Sequence, residues 1–179
     1  DIKHHKDYRV TATRNFIFTQ NDNLCSLVIA ELRNLFDQIP IVFAKNEQSV
    51  YELCALQGLE ENKNYLVTDD GVWKGSYIPA QYRAYPFIMA NEKNSEKKIL
   101  CFDKDSGLVN NHQKPTDLKL FDEKAKPAEH TLKLLEFFRS IDENRKITVR
   151  ALEMMRGLDL FEDWNIKIKN GSDEKVIKG

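Results

Sequence analysis

Seven glycines, five prolines and three cysteines in 179 residues leave this chain short of several kinds of chemistry. The glycines are scattered, with no cluster ahead of a helix, so no phosphate-cradling loop is written into the sequence. A G-x-S-x-G nucleophile element is missing too, and Gly75-Ser76 lacks its flanking pattern. Cys25, Cys54 and Cys101 are odd in number, widely spaced and never paired as C-x-x-C, which argues against a disulfide framework or a zinc site and for a reducing cytoplasm. Each has a leucine neighbour (Leu24, Leu53, Leu100), the setting of a small buried hydrophobe. No stretch approaches the roughly eighteen apolar residues of a membrane span. The run Leu27-Val-Ile-Ala30 stops at Glu31. Charge of one sign is not in excess either: 27 Lys and Arg face 28 Asp and Glu, for a net charge of −1, so a basic footprint for nucleic acid is missing.

Single groups do not fill these gaps. His112 and His130 each stand alone, which reads as solvated surface. Asp103, Asp105 and Gly107 lack the glutamate and the spacing of a calcium loop and read as a turn. Glu60-Glu61 and Asp142-Glu143 are acidic pairs of a solvated face. The expectation is therefore no assigned catalytic residue, no metal, no cofactor, no nucleic-acid partner and no membrane insertion.

What is present suits a folded domain. Hydrophobic residues make up 41% and charged residues 31%, and the length is enough to bury a core without staples. Residues 1–7, with His4-His5, read as a disordered or appended terminus, and 8–179 as one domain. The start at Asp1 rather than Met fits a processed form, and the chain stops inside an expected return strand, as if truncated at its C-terminus.

Periodicity outlines the elements. Tyr8 to Phe18 alternates as a strand. From Leu24 the period changes: Val28, Leu32, Leu35, Phe36 and Ile39 form a helical stripe, with Asn23 as its cap and Pro40 as its stop. Ile41–Ala44 and Val50–Leu56, the latter closed by Gly58, predict an antiparallel ribbon. Asp69-Asp70-Gly71 is a turn. Residues 85–90 and 99–103 form a second strand pair around the loop Asn91–Lys98. Residues 104–126 are polar, anchored by Leu118, Leu120 and Phe121. A helix follows Pro127 to Glu143, a second is capped by Thr148 and ended by Gly157, and Trp164–Lys169 alternates into a hairpin turn at Asn170-Gly171. The fold class is α+β: a mostly antiparallel sheet with about three packed helices.

The densest feature runs from Asp70 to Phe87. It holds Trp73, Tyr77, Tyr82, Tyr85 and Phe87, with Pro79, Pro86 and Arg83 among them. Aromatic side chains with polar handles on a proline-stiffened backbone suit a peptide or sugar platform. They suit a core element wedged under a loop equally well, and both readings stand. Trp73, Tyr77, Tyr82, Arg83 and Tyr85 are the candidate ligand-binding residues, and Arg83 decides between the two. Paired inside the fold it is structural; facing an open groove it would meet a carboxylate or phosphate.

A family resemblance covers the chain from residue 8 to its end. The ordered segments Tyr8-Arg-Val10, Pro40-Ile-Val-Phe43, Leu56-Gln-Gly-Leu59-Glu-Glu-Asn62, Asp70-Gly-Val-Trp73, Tyr77-Ile-Pro-Ala80, Arg83-Ala-Tyr-Pro-Phe87 and Leu120-Phe-Asp122 resemble the SapC family of bacterial proteins, linked by name to surface-layer gene regions. Y-I-P-A with R-x-Y-P-F is the most specific part. The chain departs at Ala84, where the resemblance implies a second arginine, so a paired cationic site would lack its partner. The resemblance implies surface-layer biology and supplies no reaction. The leading expectation is a non-enzymatic accessory or binding protein with a protein or peptide partner in the cytoplasm. The alternative is an enzyme acting on a peptide or sugar through an aromatic and arginine pocket, with Asp70 as acid or base; a structural layer component is a third reading.

Overall fold

The computed structural model describes residues 2–92, 95, 97–112, 114, 116–170 and 173–178, with the backbone alone for 166, 168–170 and 173–178. In chain order its strands and α-helices are β1 (Arg9–Val10), β2 (Leu24–Ser26), α1 (Leu32–Leu35), β3 (Ile41–Lys45), β4 (Tyr51–Leu56), α2 (Ala80–Arg83), β5 (Phe87–Asn91), β6 (Lys98–Phe102), β7 (Val109–Asn110), β8 (Leu118–Lys119), α3 (Glu129–Gly157), β9 (Asn165–Asn170) and β10 (Asp173–Lys178). Among the described residues every strand pairing is antiparallel, and the fold is α+β.

The chain divides into two compact units. Each is assembled from two stretches: Asp1–Asn15 with Ala80–Asp142, and Phe16–Pro79 with Glu143–Gly179. The first unit carries a three-stranded sheet, β7-β1-β8, and the ribbon β5-β6. Its core joins Ile2, Val10, Phe87, Leu100, Val109, Leu120 and Phe121, with Leu134, Leu135 and Phe138 of α3 packed on them. Ile2 and His5 of the N-terminal segment meet the core of this unit. Ile2 is 5% exposed, and the His5 ring lies 4.5 Å from Tyr8 and 5.0 Å from Phe102. The apolar contact of Ile2 and these rings stabilises an end that composition alone marked as polar.

In the second unit the sheet order is β2-β4-β3, with Cys25 opposite Ala55 and Phe43 opposite Leu53. The β3–β4 ribbon is where alternation placed it. The expected helix from Leu24 is largely replaced, because Leu24–Ser26 pairs with β4 and only Leu32–Leu35 remains α-helical. Backbone pairing to a neighbouring strand overrides helical periodicity here. Val28, Leu35 and Ile39 are buried as the stripe required, while Phe36 is 73% exposed. Asn23 is no cap: its carbonyl accepts from Gln57 and Gly58. Gly58 is needed there, since a Cβ would sit 1.8 Å from the Lys63 carbonyl oxygen.

The expected strand at Tyr8–Phe18 shrinks to β1, and Ile17–Thr19 turns as a 3-10 helix. The two expected C-terminal helices are one, α3, continuous over 29 residues. Thr148 caps nothing. Its hydroxyl donates to the Asn144 carbonyl at 2.8 Å and accepts from the Ile29 N–H at 2.9 Å. A helical threonine of this kind satisfies itself one turn back and frees a lone pair for a neighbour. β9 and β10 pair antiparallel as an expected strand and return strand, with Asn170 opposite Asp173, and Gly171 of the expected Asn170-Gly171 turn lies outside the described residues. Among the described residues no helix is long and apolar enough to cross a membrane.

Candidate functional site

The aromatic stretch separates at Pro79. Its first half belongs to the second unit and is tied down within it. Thr68 and Val72 exchange a backbone bond, and Asp69-Asp70-Gly71 makes the turn, with Gly71 at φ +86°. Only glycine adopts that conformation without strain. Trp73 thus lies across from Val67. The Trp73 indole N–H donates to the Tyr77 carbonyl at 2.9 Å, and its ring stands 5.8 Å from Phe16. Gly75 leaves the room for it, since a Cβ there would be 2.9 Å from Nε1. The Tyr77 hydroxyl donates to Glu31 Oε1 at 3.2 Å. Glu31 is 4% exposed, and its other oxygen accepts from the Val28 N–H at 3.0 Å. Buried carboxylates need such donors, so Tyr77 completes a structural site. Asp70, in the turn, accepts from the Thr68 hydroxyl.

The second half belongs to the first unit. Tyr82 and Ala84 are each 4% exposed, and Tyr82 is therefore a core residue. Arg83 points outward, its guanidinium 5.2 Å from the centre of the Phe137 ring. Tyr85 is half-buried, follows with a cis bond to Pro86, and donates its hydroxyl to Asp103 Oδ2 at 3.2 Å. Burial, then the Asp103 charge and the hydrogen bond to it, push the Tyr85 phenol above its ordinary value, so it stays a neutral donor at neutral pH. Position 84 is buried, and Arg83 beside it is an exposed cation.

The five candidates therefore divide by place. Trp73 and Tyr77 are joined to each other through the indole bond, and Tyr82 is in the core. Arg83 and Tyr85 keep polar groups toward the surface.

A family model described as SapC matches residues 1–179. The chain belongs to the SapC family. No curated protein and no solved structure matches it. Membership thus brings no ligand to these residues, and chemistry has to be read from the chain itself.

Two clefts lie outside the aromatic stretch's five candidates. One, of about 360 Å³, is lined in the second unit by Lys63, Tyr65 and Lys74 among others. Its cations are already engaged: Lys63 with Glu60 at 3.4 Å, Lys74 with the Tyr65 carbonyl at 2.9 Å. The other, of about 460 Å³, is lined in the first unit by Lys6, Arg9 and Lys119 together with acidic residues. Sequence reasoning did not single out Arg9 or Lys119, and no local signal marks them; strand register alone sets them side by side. Among the described residues no grouping of three or more His, Cys, Asp or Glu could hold a metal ion. Burial, then the Glu52 charge, push the Cys54 thiol up to about 11, which keeps it protonated and unreactive at neutral pH.

Proposed function

We propose that this SapC-family chain is a non-enzymatic binding protein that engages a protein or peptide partner in the cytoplasm, in the surface-layer context that the family resemblance implies. The observation that carries the reading is Arg83, exposed and spread over the Phe137 ring. Arginine and aromatic side chains dominate the energetic centres of protein interfaces, because each offers broad contact area with directional polar groups. Ile88, 57% exposed in β5, and Leu132, 49% exposed in α3, add apolar surface to the same unit. A partner presenting a carboxylate to the guanidinium fork and an aliphatic side chain to the ring fits this chemistry.

The test is cross-linking mass spectrometry of the full chain in lysate of its own host. The expected result is a stoichiometric protein partner whose cross-links fall on residues 83–92 and 129–137. Arg83→Glu should abolish that partner with folding intact by circular dichroism. Recovery of no partner, or cross-links that fall elsewhere and persist in the variant, would overturn the reading.

A further inference from the structure

The geometry points to a small-oxyanion binding site in the cleft of the first unit, centred on Arg9 and Lys119, where a phosphate or carboxylate group would sit. It is separate from the Arg83 surface and does not depend on it.

Register supplies the first argument. β1 lies between β7 and β8, and Arg9 is directly opposite Lys119 on one side and Asn110 on the other. Residues directly opposite in an antiparallel pair share a sheet face, with Cβ atoms about 5 Å apart. Two like charges so placed oppose folding, and strands ordinarily avoid the arrangement. Arg9 is also half-buried, so part of its hydration is lost.

Pairing supplies the second. Among the described residues, ion pairs join Lys63 to Glu60, Lys97 to Glu92, Lys98 to Asp142 and Lys133 to Glu129. Among the described residues neither Arg9 nor Lys119 takes part in one, and Lys6, in the same cleft, does not either. Asp117, two residues before Lys119, accepts from the Thr11 hydroxyl at 2.9 Å through Oδ1, while its Oδ2 is buried without a hydrogen-bond partner among the described residues. The fold thus sets two cations side by side and gives neither a carboxylate.

The cleft supplies the third. It is a depression of about 460 Å³ that brings Lys6, Arg9 and Lys119 together. Asp7, Asp122 and Glu123 also line it, so the lining as a whole is balanced in charge. Asp122 is occupied by its own turn, accepting from the Lys124 and Lys126 N–H groups at 2.9 and 2.8 Å. An arginine fork beside a lysine point charge is a fitting receptor for one phosphate or carboxylate group.

The experiment is an NMR titration of the full chain with inorganic phosphate and, separately, with malonate, chloride being exchanged to hold ionic strength constant. The expected result is saturable shifts centred on the amides of Arg9, Val10, Leu118 and Lys119 with one of the probes. Phosphate alone would identify a phosphate-bearing ligand, malonate alone a carboxylate. Arg9→Gln and Lys119→Gln should each weaken binding tenfold or more, while Lys124→Gln leaves it unchanged. Lys119 is exposed, so its variant keeps the fold testable if Arg9→Gln does not fold. Without ligand, Lys119→Gln should melt no lower than the parent, because it removes the opposed charge. Failure of both probes to bind at 20 mM, or equal weakening by Lys124→Gln, would overturn the site.

Discussion

The two halves of the aromatic stretch share a composition and differ in what their polar atoms do. Before Pro79, each aromatic handle ends on a group of its own unit: the Trp73 N–H on Tyr77, the Tyr77 hydroxyl on the buried Glu31. After it, Tyr82 is core, the Tyr85 hydroxyl likewise ends on Asp103 of its own unit, and Arg83 lies over an aromatic ring at the surface. The lesson is that aromatic density does not distinguish a platform from a brace. Where the polar ends point does, because a buried donor without a partner costs more than the ring gains by contact.

Substitutions can break or sharpen that contrast. The largest effect is expected from Trp73→Ala, which removes a half-buried ring and its bond to Tyr77; about 3 kcal/mol should be lost in urea titration. A loss under 1 kcal/mol would end the brace reading of the first half. Tyr77→Phe keeps the ring and takes a donor from Glu31, so about 1–2 kcal/mol should go. Binding to any partner through the second half should be unaltered.

Tyr85→Phe is expected to cost about 1 kcal/mol or less at neutral pH, since the hydroxyl is near the surface. Its sharper readout is alkaline. The folded phenol titrates above its unfolded value of 10.0, so its contribution is complete below that pH and is lost as pH rises through the folded value. The parent should therefore lose more stability than Tyr85→Phe between pH 9 and 11 in thermal melts. Equal losses would remove the Tyr85–Asp103 bond from the account. The smallest stability effect belongs to Arg83→Ala, within about 0.5–1 kcal/mol, the range of an exposed cation–π contact. The same variant should lose the partner; a large destabilisation with the partner retained would make the second half a brace as well.

Much of the fold was legible because it is local. The β-prone runs Ile41–Ala44 and Val50–Leu56 gave β3 and β4, and those around the charged loop gave β5 and β6. Leu24–Ser26 was misread because a helical stripe does not reveal that β4 offers it an edge. Thr148 was misread because a threonine before an apolar run looks the same whether it starts a helix or back-bonds inside one. At the site, burial within the stretch was not legible: Tyr82 and Arg83 are neighbours, one at 4% exposure and the other outward.

By itself, then, the sequence determined the α+β class, the antiparallel ribbons, the helix-rich C-terminal third and the family. These rest on periodicity and short motifs, which sterics and side-chain direction fix within a few residues. The tertiary structure alone decided the two interleaved units, the burial of Ile2 and the meeting of Arg9 with Lys119. Those depend on pairings between distant segments, chosen by the net free energy of the whole packed arrangement, and no local pattern carries them.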